Sequence, residues 1–244
     1  MAKAGYKQIK RMTAAMRTIH WVNAISMVIA IVTGFYIAEP YYQTLIAEPA
    51  VNKYVMAWNR WWHFIVAIIF DVTSIVIAYL YFFSRFEKPY KKVIPTGKNI
   101  KEFFEVVLNL LTLNRRKNFD SSHADSFNTV YFTIFHLLLA WMLFTGLQLY
   151  VHGLESGESS IGRWWPAMLH IFTDWTIPVS AMLNGSSTNI ASIMDVRISH
   201  HTTMWLIIVW IVFHIYYQVW RTIFWREGDI NIAFGGTKFA KEKE

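Results

Sequence analysis

Apolar residues in this chain fall in long blocks rather than in alternation. Residues 18–38, 61–84, 127–151 and 198–220 each run for about 20 residues or more without a lysine, arginine or glutamate. At about 1.5 Å of rise per residue, such a block reaches across a bilayer core, where a helix alone can satisfy its own backbone hydrogen bonds. The pattern predicts an all-α membrane protein with four transmembrane helices, the whole of residues 1–244 forming one membrane domain.

The connecting segments have their own patterns. Residues 39–60, with Pro40 and Pro49, read as a short outer loop. In the segment "KNIKEFFEVVLNLLTLNRRK", the apolar residues Ile100, Phe103, Phe104, Val107, Leu108 and Leu111 recur at helical spacing. This is the mark of an amphipathic helix lying on the membrane surface, either as a lipid-anchored connector or as a partner-binding site. Residues 152–197 form the longest segment expected to be irregular. Their "RWWPAMLHIFTDW" is too aromatic for disorder, so they are expected to be a docking surface for an extramembrane partner or to pack back on the outer end of the helices.

Charge fixes the orientation. Of 23 basic residues, five precede the first block, nine lie from Arg85 to Lys117 and five follow from Arg221, leaving Lys53, Arg60, Arg163 and Arg197 for the other side. By the positive-inside rule both termini and the loop between the second and third helices face the cytoplasm, which makes this a multi-pass protein of the cytoplasmic (inner) membrane. The first block is too long for an export signal and lacks a small-residue cleavage site. A net charge of +7 is therefore read as topology beside anionic lipid, not as a nucleic-acid surface. The chain has no cysteine, which excludes thiolate iron–sulfur clusters and covalently attached c-type haem.

Ionisable residues inside a membrane are a functional signal. His20 lies at the cytoplasmic end of the first helix and His63 at the outer end of the second. The fourth has His200 and His201 at its outer end and His214 nearer the cytoplasm. One histidine pair thus falls at each level, and two neutral imidazoles from facing helices are what a noncovalently bound b-type haem needs. His200 and His214 lie about 40° apart on their helix and His201 and His214 about 140°, so His200 is the expected outer ligand. The expected pairs, His63 with His200 and His20 with His214, are separated by roughly 21 Å along the axis, suiting two stacked haems.

Arg17, Arg60 and Arg197 each precede a proposed ligand by three residues, which puts a guanidinium one turn toward the membrane surface, where haem propionates need partners. Interfacial snorkelling accounts equally well for Arg17. Gly34, fourteen residues past His20, would let the outer haem approach or would serve a small-residue helix contact. Asp71 and His136 are further buried groups at similar depth, expected to pair. His152 and His170 read as solvated loop residues.

"RTIHWVNAISMVIAIVTG" and "RISHHTTMWLIIVWIVFH" resemble the two signature segments of the b-type cytochrome subunit of membrane-bound nickel–iron hydrogenases. The likeness lies in R-x-x-H-W with its distal T-G, and in R-x-x-H-H with Trp205 and the terminal histidine. The gamma subunits of formate dehydrogenases look like more distant relatives. The hydrogenase resemblance implies an anchor for a periplasmic hydrogenase, whose large subunit and iron–sulfur small subunit lie on the outer face. Electrons would then pass by the outer and inner haems to a quinone such as menaquinone or ubiquinone.

In such relatives the quinone site lies on the cytoplasmic side, with a polar residue at the start of the third helix, here Asn128. His123 just before it, and Tyr217 and Gln218 just beyond His214, are the other expected members. Electrons entering outside and protons taken from inside would separate charge across the membrane. Two other functions fit the residues alone: the equivalent subunit of a formate dehydrogenase or other respiratory oxidoreductase, and a transporter using its histidines for protons or metal ions.

Overall fold

The computed structural model of the chain describes residues 6–40, 49–83, 94–111, 121–155, 164–220, 222–223 and 230–241. Their elements are β1 (Tyr6–Lys10), α1 (Ala14–Ala38), α2 (Pro49–Phe83), α3 (Gly97–Leu111), α4 (Ser121–Glu155), α5 (Trp164–Thr173), α6 (Thr176–Asn184), a 3-10 turn (Thr188–Ile190), α7 (Ile193–Trp220), α8 (Ile230–Gly235) and β2 (Thr237–Lys241). Four of them, α1, α2, α4 and α7, contain stretches long and apolar enough to cross a membrane: Ala14–Ala38, Val55–Phe83, Ser126–Gly153 and Ile193–Val219. These are the four predicted blocks, and the chain is a multi-pass membrane protein.

Two boundaries differ from expectation. α2 starts at Pro49 and not near residue 61, because proline is at home in a first helical turn, where its missing N–H is not needed. Residues 152–197, expected to be irregular, instead carry α5, α6 and the 3-10 turn.

Contacts divide the chain into two compact units, Met1–Lys88 with Ile211–Glu244, and Pro89–Trp210. In the first, Thr13 caps α1 by accepting from the Met16 amide at 3.3 Å. α1 and α2 run antiparallel, tied by a hydrogen bond from Thr73 to Asn23 and, ten residues on along each helix in opposite directions, by one between Thr33 and His63. The side chains are sorted inside-out relative to a soluble protein. Ser26 and Thr33 of α1 are buried, while Ile25, Val28 and Val32 of α1 and Ile68, Val72, Ile75 and Tyr79 of α2 form exposed apolar stripes at helical spacing. That is the arrangement lipid selects, since small polar residues let helices approach and bond one another. β1 pairs antiparallel with β2, Tyr6 opposite Lys241 and Lys10 opposite Thr237, so that the two ends of the chain are clasped together.

In the second unit α4 packs along the N-terminal half of α7. Tyr131 Oη donates to the Trp210 carbonyl at 2.8 Å, the Trp210 indole returns a bond to the Tyr131 carbonyl at 3.3 Å, and Phe135 stacks on Trp210 with centroids 3.7 Å apart. Trp141 Nε1 donates to Ser199 Oγ at 2.9 Å farther along. α3 lies against the start of α4. Its Phe103 stacks on Phe127 at 5.2 Å, and Ser126 Oγ accepts from Asn99 at 2.9 Å while donating to the Glu102 carboxylate at 2.5 Å. Ile100, Phe104 and Leu108, on the other face of α3, are exposed. This surface helix therefore has one stripe for protein and one for lipid. Trp175, between α5 and α6, meets Trp141 and Phe144 of α4, and Asn184 at the end of α6 donates to the Asp195 carbonyl at 2.8 Å.

Candidate functional site

His20 of α1 and His214 of α7 are both half-buried. His20 Nδ1 is buried and lacks a hydrogen-bond partner among the described residues. A polar atom left so in an apolar interior marks a position meant to be completed by something else. The residues flanking His20 are fixed by the C-terminal segment. Arg17 donates to the Gly235 carbonyl at 3.2 Å, and the Trp21 indole donates to the Ala233 carbonyl at 2.9 Å with its ring 5.0 Å from Phe234. The spacing R-x-x-H-W thus puts two gripping residues on either side of the histidine along α1.

His63 of α2 and His200 of α7 are each held by a threonine of a neighbouring helix. Thr33 of α1 meets His63 Nδ1 at 3.0 Å, and Thr145 of α4 meets His200 Nδ1 at 2.9 Å. Each threonine hydroxyl has one proton and directs it to its own helix: Thr33 to the Ile29 carbonyl at 2.7 Å, Thr145 to the Trp141 carbonyl at 2.8 Å. Toward the imidazole each must accept, so both rings carry their proton on Nδ1. That tautomer turns a lone pair on Nε2 outward for a metal. Gly146, beside Thr145, lies along the edge of the His200 ring, where a Cβ would stand 3.4 Å from Cε1 in ordinary contact.

His201 is engaged differently. Its Nε2 accepts from the Trp205 indole at 3.1 Å and its ring lies nearly parallel to that indole.

These donor sets suit haem. Among the described residues no cluster of three or more histidine, cysteine or carboxylate side chains could hold a bare metal ion. What the helices offer is neutral imidazoles, two of them locked in the ligating tautomer, and this is the chemistry of b-type haem coordination.

The other expected residues fall as follows. Arg60 and Arg197 are exposed and Arg17 is partly buried. Asn128 Oδ1 is buried without a hydrogen-bond partner among the described residues. Tyr217 stacks on Phe213 at 6.1 Å, and the Gln218 carbonyl accepts from Thr222. His123 belongs to α4, but its side chain lies outside the described residues. His136 donates from Nδ1 to the Phe132 carbonyl of its own helix at 2.6 Å, and Asp71 sits half-buried in the middle of α2. His152 lies in the last turn of α4. His170, expected in a loop, is on α5, where it bonds Asp174 at 2.6 Å.

Reading the sequence missed the roles of Thr33, Thr145 and Trp21. A signal for the first two was present: the dipeptide Thr-Gly occurs twice within the membrane spans, at 33–34 and 145–146.

The sequence profile of the prokaryotic cytochrome b561 family matches residues 11–236. A probable Ni/Fe-hydrogenase B-type cytochrome subunit of Cupriavidus necator is 27% identical over 233 residues, covering 94% of this chain and 86% of the relative. Its counterpart in Bradyrhizobium diazoefficiens is 29% identical over 92% of this chain and 83% of that protein. A probable Ni/Fe-hydrogenase 1 B-type cytochrome subunit of Escherichia coli is 25% identical, over 93% of this chain and 89% of its own length. A match across nearly the whole length, on a protein with four apolar helices, leaves one assignment: this chain belongs to the prokaryotic cytochrome b561 family and is a b-type cytochrome.

Proposed function

We propose that this chain is the membrane-anchoring cytochrome subunit of a nickel–iron hydrogenase and delivers its electrons to quinone from two stacked haem b groups. The observation that carries the reading is the set of four histidines on three apolar helices, with His63 and His200 each locked by a threonine in the tautomer that ligates iron. Each bound haem supplies a one-electron carrier in a medium where no soluble carrier could travel. His63 and His200 hold the outer group, His20 and His214 the inner one. Arg60 and Arg197, both exposed and each three residues before a proposed ligand, offer guanidinium groups to propionates. Arg17 has donors beyond the one given to Gly235.

Reducing a quinone to a quinol takes two electrons and two protons. Asn128, His123, Tyr217 and Gln218 are the proposed site, on the cytoplasmic side. A primary amide donates to a quinone carbonyl and accepts from a quinol hydroxyl, and the buried Oδ1 of Asn128 is suited to the second role. A histidine at the same helix end can relay protons at neutral pH. Both termini are cytoplasmic in this reading, in keeping with the distribution of basic residues. The hydrogenase small subunit then docks on the outer side, where Met168, Ile171 and Phe172 of α5 and Met182 and Leu183 of α6 are exposed.

Purification of the membrane complex through a tag on this chain tests the proposal. Nickel co-purifying with a reducible b-type spectrum supports it. Molybdenum or tungsten in place of nickel assigns the chain to a formate dehydrogenase-type complex, and a colourless protein makes it a transporter.

A further inference from the structure

We propose that Thr33 and Thr145 are positioning residues that tune the outer haem, and so the site where electrons enter; the inference rests on the ligand assignment proposed above. The two contacts are one device built twice. In each, a Thr-Gly dipeptide on one membrane helix receives an imidazole from its neighbour, His63 of α2 on Thr33 and His200 of α7 on Thr145. In each, the hydroxyl proton is spent on the carbonyl four residues earlier, so that the oxygen accepts from Nδ1–H. Thr33 and Thr145 are both buried, so water does not compete for these bonds. On α1, by contrast, His20 Nδ1 is buried with no hydrogen-bond partner among the described residues.

An Nδ1–H that donates makes the imidazole a stronger electron donor through Nε2, and a more basic ligand favours ferric over ferrous iron. The outer haem is thereby held at a lower potential than the same ligands would give unassisted.

The test is a spectroscopic redox titration of the intact complex, wild type against Thr145→Val, Thr33→Val and Thr145→Ser, with haem content measured alongside. Valine keeps the shape and removes the acceptor, while serine restores it. The expected result is two haems per chain in every variant, with one midpoint potential raised in Thr145→Val and in Thr33→Val, and returned to wild type in Thr145→Ser. The second haem's potential should not move. Loss of one haem in Thr145→Val that serine reverses also supports a positioning role. Unchanged potentials in both valine variants, or a serine variant that behaves like valine, would overturn the inference while leaving the ligand assignment intact. A wild-type complex without haem would remove both.

Discussion

Arg17, on the first membrane-spanning helix, donates a hydrogen bond of 3.2 Å to the carbonyl of Gly235, 218 positions later in the chain. The bond belongs to a clasp in which the amides of Arg11 and Met12 both donate to the Gly236 carbonyl, at 2.8 and 3.1 Å, and β1 pairs with β2. The arginine and tryptophan of the R-x-x-H-W motif thus hold the C-terminal segment beside His20.

Gly236 is the weak point of that clasp. Its φ is +75°, and a Cβ there would collide with the Arg17 guanidinium and the Met12 carbonyl. Gly236→Ala should cost about 1–3 kcal/mol locally. Hydrogen exchange should reveal it as much faster exchange of the Arg11 and Met12 amides. Protection equal to wild type would show that the clasp does not depend on this turn.

Substitution of the neighbouring histidines of α7 should give opposite results. His200→Ala should remove one haem of two, whereas His201→Ala, which breaks only a bond to Trp205, should keep both. Pyridine haemochromogen assays of the two variants distinguish them, and the reverse outcome would place the ligand on the other face of the helix.

The pairing of Tyr131 with Trp210 is a reciprocal clamp, and its parts should differ in weight. Tyr131→Phe loses one hydrogen bond to a helix carbonyl, about 0.5–1.5 kcal/mol. Trp210→Ala also empties the space under Phe135 and Tyr131 and should cost about 3–5 kcal/mol. Thermal unfolding in detergent should rank the two in that order, with equal losses counting against the clamp.

Ser126 joins Asn99 and Glu102 of α3 to α4. Ser126→Ala should remove the hydroxyl that ties Glu102 to α4 and leave the carboxylate to Lys98 of its own helix, lowering hydrogen-exchange protection along α3 while haem content stays at the wild-type value. Unchanged protection would mean that Phe103 on Phe127 and the lipid-facing stripe hold the helix unaided.

The four spans and the surface helix were legible because their cause is local: uninterrupted apolar runs, and a 3.6-residue period in α3. The histidines stood out because charge and polarity are rare in such runs. What was not legible depends on distant partners. Nothing near Tyr6–Lys10 announces pairing with residues more than 220 positions away, and Arg17 was matched to a propionate when a carbonyl of the C-terminal segment also claims it. Residues 152–197 looked irregular because Gly, Ser and Pro punctuate them, yet packing of Trp175 against Trp141 and Phe144 supports two short helices there. Thr33 and Thr145 were overlooked because threonine in a membrane helix ordinarily bonds its own backbone, which both also do.

Haem stoichiometry of the purified complex, measured for wild type and for His214→Ala, weighs the central claim most directly. Two haem b per chain falling to one, with electron transfer to quinone abolished but reduction of artificial dyes largely kept, is the predicted result. Wild-type protein with fewer than two haems, or a His214→Ala variant that retains both, would contradict it.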